Sequence, residues 1–231
     1  MPIHYSEQFL SGCWANKRCA ESQLKGAILC AGLGRRLDPL TAYQLPKPLF
    51  PLGGKVPIAE IWVRRLISSG IMNVSMNLSV MAEAIRRHFA NGEKFGIDLT
   101  FAEEEVPSGT LGGVCKMTLG SEATALNGDP AAIPIPRFSG STVIVPSGDI
   151  VANFDADLLD EMYGIHRRAG AALTMVLTGI PSARRKDFGT VVMAAPEKHD
   201  GDISLAGRIA EFREKDPDSP SCLNNASIYM I

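Results

Sequence analysis

The sequence predicts an α/β fold: a mostly parallel sheet with helices on both faces and a small antiparallel addition near the C-terminus. Two observations carry this. From Gly26 to Thr178, short apolar runs alternate with amphipathic stretches of helical period. Strands separated by helices imply right-handed crossovers and parallel pairing. From Gly189 onward the strand-like runs "GTVVMAA", "SLAGRIAEF" and "NNASIYMI" follow one another with no helical stretch between them. Such runs pair as antiparallel neighbours or form a lid.

A strand is expected over 26–31, and the chain then breaks into "AGLGRRLDPLTAYQLPKPLF". No helix runs through the spacing of Pro46 and Pro48, so the connection to the next helix near Pro57 is long. Long loops in compact domains are functional or disordered. "PIAEIWVRRLISSG" reads as a helix closed by Gly70. "IMNVSMNL" alternates apolar and polar residues as a half-buried strand does, and Ser79 is placed to cap the helix "VMAEAIRRHF" before Asn91-Gly92. "IDLTFAE" is a third strand, and the turn at Gly109 to Gly113 starts a short helix. "STVIVPS" is a strand ending at Gly148-Asp149. "ADLLDEMYGIHRRAG" follows as a helix and "AALTMVLT" as the next strand. Residues 121–141, rich in Pro, Ala, Gly and Ser, read as an inserted surface loop.

The 231 residues have room for a sizeable core, and a 45% hydrophobic, 21% charged composition is ordinary for a globular protein. A net charge of −2 argues against a nucleic-acid partner. No apolar run approaches the roughly 20 residues of a membrane span. The five cysteines include no C-x-x-C pair, which excludes the common zinc and disulfide frameworks and fits a reduced, cytoplasmic compartment. A homo-oligomer stays open as an assembly. Residues 1–23 have no helical or strand period and no signal-peptide core. They are expected to be a disordered or artefactual extension, with the domain proper running from Leu24 to Ile231.

In an open parallel sheet, ligands bind beyond the carboxyl ends of the strands. Three features fall there: the loop from Gly32 to Lys47, the turn from Glu103 to Gly113, and Gly148-Asp149. Gly32 and Gly34 suit either a tight turn or close approach of backbone N–H groups to phosphate. A dinucleotide fingerprint fails at Leu37, and a P-loop fails because Val56 follows Gly54-Lys55. Arg36 and Lys47 are either solvated cations or a polyphosphate clamp, arginine bidentate and lysine a point charge. Asp149, after Gly148 at the end of an apolar strand, is either a turn residue or a ligand for a hard cation. Glu103, Glu104 and Glu105 read as a solvated strand end or a ligand-facing run, and Glu214-Lys215 as a surface pair. His4, His88, His166 and His199 lack metal-ligand spacing and are expected at the surface.

The stretch "ILCAGLGRRLDPLTAYQLPKPLFPLGGKVPI" resembles the signature of the sugar-1-phosphate nucleotidyltransferases, or nucleotide-sugar pyrophosphorylases. Their pattern is G-x-G-T-R-L-x-P-L-T, then P-K-P-L-x-P and G-K-P. Arg36, Leu37, Pro39, Leu40 and Thr41 match it, as do Pro46, Lys47, Pro48, Leu49, Pro51, Gly54 and Lys55. The likeness continues through "EEEVPSGTLGG", "VPSGDIV", "DFGTVV", "FREKDP" and "NNASIYMI". It implies a Rossmann-like fold that condenses a sugar 1-phosphate with a nucleoside triphosphate, with Mg²⁺, releasing pyrophosphate. By resemblance, Arg36, Lys47 and Asp149 are catalytic and Asp149 holds the metal. Ala31, Gly32, Gly34, Arg35, Glu104, Pro107, Gly109, Thr110 and Gly148 would bind the nucleotide. Gly189, Glu214, Lys215 and Asn225 would face the sugar phosphate.

The chain departs from the pattern at Ala31, at Arg35 for a threonine, at Asp216, and at Ser227 for a glycine. The family's second metal-binding aspartate has no match before Ile231, so a C-terminally truncated domain is expected. The acidic run before the Gly109 turn is similar to that of the mannose-1-phosphate guanylyltransferase branch. Glu104, acceptor-only as a carboxylate, would meet the N1–H and N2 amino donors of guanine, so GTP is the expected nucleotide. The alternatives are glucose 1-phosphate with UTP or dTTP, and a catalytically incomplete relative that only binds nucleotide.

Overall fold

The computed structural model describes residues 24–32, 44–119, 138, 140–194 and 206–231. Its central strand is β1 (Leu24–Leu29), and alternate side chains of β1 face two separate cores. Ile28 points into the larger core with Trp62, Leu66, Met76, Leu78 and Ile144, while Ala27 joins Val114, Met117, Val143 and Val145 on the other side. A strand buried on both faces is what helix-covered parallel sheets require.

Among the described residues, four α-helices supply the layers. The first, α1 (Ile58–Ser68), buries Trp62, Val63 and Leu66, and α2 (Ala82–Phe89) buries Ile85 and Phe89 in the same core. The opposite face is covered by α3 (Gly109–Leu119), through Val114 and Met117. Leu159 and Met162 of α4 (Ala156–Ala169) return to the larger core; Asp155 caps this helix by accepting from Leu158 N at 2.9 Å. The helices therefore lie on both faces, as expected. No helix among the described residues is long and apolar enough to cross a membrane.

In the sheet, β5 (Asp98–Glu103), β4 (Asn73–Leu78), β1 and β6 (Thr142–Pro146) are parallel neighbours. Next comes β10 (Leu223–Met230), antiparallel to β6, to β7 (Thr174–Gly179) and to β8 (Gly189–Met193), which pairs with β9 (Ile209–Glu214). A two-stranded ribbon, β2 (Pro51–Leu52) with β3 (Val56–Pro57), precedes α1. Four strand pairings described in the large sheet are thus antiparallel, and they make up the C-terminal addition expected from the sequence. The crossover through α4 does bring β7 parallel in direction to β6, but β10 stands between them.

Several local expectations change. Strand β4 is not half-buried: Ser75 and Asn77, the polar half of its alternation, are as buried as Val74 and Met76. The Ser79 side chain does not cap α2; Met81 occupies the cap with a left-handed backbone (φ 58°), and Ala82 N bonds to the Ser79 carbonyl at 3.2 Å. Two histidines are not free surface groups. His166 is buried with Nδ1 3.0 Å from Thr174 Oγ1, and burial, then the Arg167 charge, lower its pKa. His88 Nε2 lies 2.7 Å from Glu60 Oε2. The extension 1–23, most of the 121–141 segment and the turn at His199 to Gly201 lie outside the described residues.

Candidate active site

Lys47 opens a single 3₁₀ turn, Lys47–Leu49, with Pro46 extended before it and Pro48 inside it. Leu49 N and Phe50 N close the turn onto the carbonyls of Pro46 and Lys47 at 2.8 and 3.0 Å. Buried Pro48 and Leu49 anchor it. The prolines restrict the backbone, and the lysine is aimed. Its Nζ donates to Asp149 Oδ2 at 2.5 Å, across 102 residues of sequence.

Asp149 is held from the opposite side. Ser147 bridges Leu29 in parallel, Gly148 N donates to Leu29 O at 2.8 Å, and Ile150 N closes the turn on Ser147 O at 3.3 Å. The Ile150 carbonyl accepts from Trp62 Nε1 at 3.0 Å. Gly148 is required by space. A Cβ there would stand 2.8 Å from Cys30 Sγ, 3.0 Å from Ile28 Cγ2 and 3.1 Å from Leu29 O. Burial, and then the Asp149 charge, push the Cys30 thiol far above its usual pKa, so it stays protonated and inert beside the pair.

A second cluster lies at the ends of β4 and β5. Glu104 N donates to Leu78 O at 2.8 Å, which turns the carboxylate inward, and the residue is only 3% exposed. Its Oε1 accepts from Asn77 Nδ2 at 2.6 Å; its Oε2 accepts from both the amide and the hydroxyl of Ser108, each at 2.6 Å. Asn77, also 3% exposed, uses its Oδ1 to accept from Cys30 N at 2.7 Å. Helix α3 can rest on this cluster because Gly113 has no side chain; a Cβ there would overlap Asn77 Nδ2 and lie 3.0 Å from Glu104 Oε1. Burial alone would raise the Glu104 pKa. The Ser108 hydroxyl and amide, the Asn77 amide and the Lys116 charge together hold it below the usual carboxylate range. Outward presentation of both Glu104 oxygens to a base, expected from the sequence, is therefore not the arrangement observed.

The turn beyond Glu104 does face solvent. Pro107, Gly109 and Thr110 are exposed, with Val106 and Leu111 beside them at 74% and 77%. Ala31 is buried after β1 and Gly32 is open, with nothing among the described residues within 4 Å of where a Cβ would be. Gly34, Arg35 and Arg36 lie outside the described residues.

The expected sugar-phosphate residues fall into two places. Asn225 belongs near Asp149: Ser227, left-handed at φ 57°, donates its N–H to Asn225 Oδ1 at 2.8 Å and accepts from Ser147 N at 3.0 Å. The Asn225 amide also donates to Tyr229 OH at 2.7 Å. The β8–β9 hairpin holds the others. Gly189 pairs with Glu214, and Lys215 Nζ is 3.6 Å from Glu214 Oε1 in an exposed ion pair. The structure thus brings Lys47, Asp149, Gly148, Ala31, Gly32 and Asn225 to one region, joined to the Glu104 turn through Cys30 and Asn77. Sequence reasoning passed over Asn77, and noted Ser108 only as a departure from the guanylyltransferase branch's usual residue. The signal for Asn77 was weak, because it belongs to the polar half of a strand that alternates apolar and polar residues.

Among the described residues no group of three or more His, Cys, Asp or Glu side chains could hold a metal. A lone carboxylate, Asp149, still suits Mg²⁺, which binds through one or two carboxylates and takes its other ligands from substrate phosphates and water.

Comparison with known proteins bears on the family and the fold. A family model described as "Nucleotidyl transferase" matches residues 25–230. The chain is 30% identical over 215 residues to a mannose-1-phosphate guanylyltransferase of Mycobacterium tuberculosis, covering 92% of this chain and 50% of that one. It is 30% identical over 209 residues to the mannose-1-phosphate guanylyltransferase catalytic subunit beta of Danio rerio (90% and 49%). It is 29% identical over 193 residues to a UTP–glucose-1-phosphate uridylyltransferase of Synechocystis (83% and 44%). The chain spans about half the length of these relatives. In fold it is similar to a putative glucose-1-phosphate thymidylyltransferase from Bacillus anthracis solved with sucrose. The TM-score is 0.64 at 18% identity, covering 90% of this chain and 70% of that one.

Proposed function

Because the chain belongs to the nucleotidyl transferase family, we propose that it transfers a nucleotidyl group from a nucleoside triphosphate to a sugar 1-phosphate, GTP and mannose 1-phosphate being the preferred pair. The observation that carries this is the 2.5 Å pairing of Lys47 with Asp149 beyond the ends of β1 and β6. An aimed cation and a carboxylate meet there at the edge where open α/β sheets bind ligands.

In the reaction, an oxygen of the sugar phosphate attacks the α-phosphorus in line. A new P–O bond forms, the bond to the bridging oxygen of pyrophosphate breaks, and pyrophosphate leaves with the electron pair. Such chemistry asks the protein for alignment and charge neutralisation. Lys47 turns from Asp149 to the α-phosphate, and Arg36 meets the charge growing on the leaving group. Ala31, Gly32, Gly34, Arg35 and Gly148 line the phosphates. Pro107, Gly109 and Thr110 hold the base, with exposed Val106 and Leu111 as apolar walls. Gly189, Glu214, Lys215 and Asn225 take the sugar phosphate. Asp149 holds Mg²⁺, which when bound neutralises phosphate charge.

The choice of GTP is supported by the two guanylyltransferases that match nine-tenths of the chain. A second reading, UTP with glucose 1-phosphate, has its own support in the uridylyltransferase and in the engagement of Glu104 by Asn77 and Ser108, which removes the simplest guanine contact. The test is pyrophosphate release with GTP, UTP, dTTP, CTP and ATP, each against mannose and glucose 1-phosphates. GTP with mannose 1-phosphate is expected to be fastest. Leadership by UTP overturns the choice of base, and release from no pair, with nucleotide still bound, overturns catalysis by this chain.

A further inference from the structure

We propose that Asn77 is a positioning residue that locks the end of β1, at Cys30, to the turn after β5. Taken with the function above, on which this meaning rests, the backbone that leads into the phosphate subsite is then tied to the turn that holds the base. A buried amide inside a strand is unfavourable unless its groups are satisfied, and Asn77 satisfies them on two different loops. Its Oδ1 accepts from Cys30 N, where β1 gives way to the glycine loop; its Nδ2 donates to Glu104 Oε1. Glu104 relays the contact to the Ser108 amide and hydroxyl at the start of α3. One side chain therefore sets three chain segments, and Gly113 leaves room for it.

Each atom in the relay has a required polarity. Asn77 must accept toward Cys30 and donate toward Glu104. Glu104 must accept on both sides, because Asn77 offers N–H on one and Ser108 offers N–H and O–H on the other. Glu104 thus acts by holding the turn, and discrimination among bases falls to what the exposed residues 105–111 present. Aspartate at position 77 would set two carboxylates against each other. Glutamine at 104 would then restore every bond: the Gln amide donates to the new carboxylate, its oxygen keeps Ser108, and the net charge is unchanged.

The experiment compares wild type, Asn77→Asp, Glu104→Gln and the double variant, each well below its own unfolding temperature. Titrations use GTP, UTP and tripolyphosphate, and amide hydrogen exchange is followed at Cys30 and Ser108. Asn77→Asp is expected to weaken nucleotide binding by about 10- to 100-fold, the range for a lost hydrogen bond to a charged group. It should weaken tripolyphosphate too, which Asn77 does not touch, and speed exchange at both amides. The double variant should return all three readouts to within about threefold of wild type, judged against that same range. Wild-type affinity and exchange in folded Asn77→Asp would overturn the lock, as would failure of the double variant to rescue. If Asn77→Asp does not fold, a folded double variant supports the lock and an unfolded one overturns it. Coupled exchange in a chain that binds no nucleotide supports the lock and refutes the function assigned above.

Discussion

Gly148→Ala tests the close approach that places Asp149. The added methyl meets two core side chains and one backbone oxygen at 2.8–3.1 Å. None is the free end of a flexible chain: Cys30 and Ile28 are buried, and Leu29 O already accepts from Gly148 N. Relief requires β1 and the Ser147–Ile150 turn to part by several tenths of an ångström. Overpacking of this kind costs about 1–3 kcal/mol. In a chain of this size each kcal/mol lowers Tm by about 2–4 °C, so a drop of about 2–12 °C is expected. Thermal unfolding by circular dichroism measures it, with Gly32→Ala as the control, since that position is open and should shift by no more than about 0.5 kcal/mol. Pyrophosphate release at low temperature, where the variant is folded, should also fall, because Asp149 rides on the displaced turn. A Tm within a degree or so of wild type would refute the close-packing account.

Asp149→Asn should abolish Mg²⁺-dependent turnover while leaving the circular dichroism spectrum unchanged; near-wild-type pyrophosphate release would remove Asp149 from the mechanism. Ser227→Gly should stabilise, because a left-handed non-glycine residue (φ 57°) costs about 1–2 kcal/mol and glycine's extra chain freedom returns about 0.5–1 kcal/mol of that. The expected gain in Tm is up to about 6 °C, and a loss would show that the serine side chain contributes more than the strain. Glu60 and Glu104 both have pKa values held low, against the upward pull of burial: Glu60 by Arg64 and His88, Glu104 by Ser108, Asn77 and Lys116. A carboxylate with a depressed folded pKa stabilises fully above its unfolded value, and that contribution is lost as pH falls through the folded one. Urea midpoints should therefore fall below about pH 5, and Glu104→Gln should flatten the slope; an unaltered slope would refute the linkage.

The order of elements was legible because glycines and prolines punctuate them and the helical period between them is clear. Lys47 and Asp149 stood out in the sequence as candidates because each sits where the backbone is restricted, between prolines and after a strand-ending glycine, and the fold brings the two together. What escaped was partnership inside the sheet. The alternation of β4 reads as a wet face only if polar residues seek water, whereas Ser75 and Asn77 are buried. Glu104 looked available for a ligand because nothing local says that Asn77, 27 residues earlier, consumes one oxygen. The position of β10 between β6 and β7 was equally hidden. A crossover predicts the direction of the next strand, and a later strand can still enter between the two by pairing with both. Ser227 is a partial exception: its replacement of a family glycine was visible, and the left-handed backbone there gives the glycine its reason.

The insertion of β10 has a consequence for the order in which the chain acquires its shape. Ile228 pairs with Pro146, and Ser227 O receives Ser147 N, so the turn carrying Asp149 is buttressed by residues made long after it. On a ribosome, β1, β4, β5 and β6 can assemble early, since all four have been made once residue 146 is in place. The outer edge of β6 must then wait, its hydrogen-bonding groups unpaired, until β10 emerges. Non-local pairing of this sort is slow, and an open strand edge recruits other chains. Aggregation during synthesis should therefore be governed by the delay between residues 146 and 223, and a chaperone that covers the β6 edge should raise the folded yield without altering the stability of the finished protein.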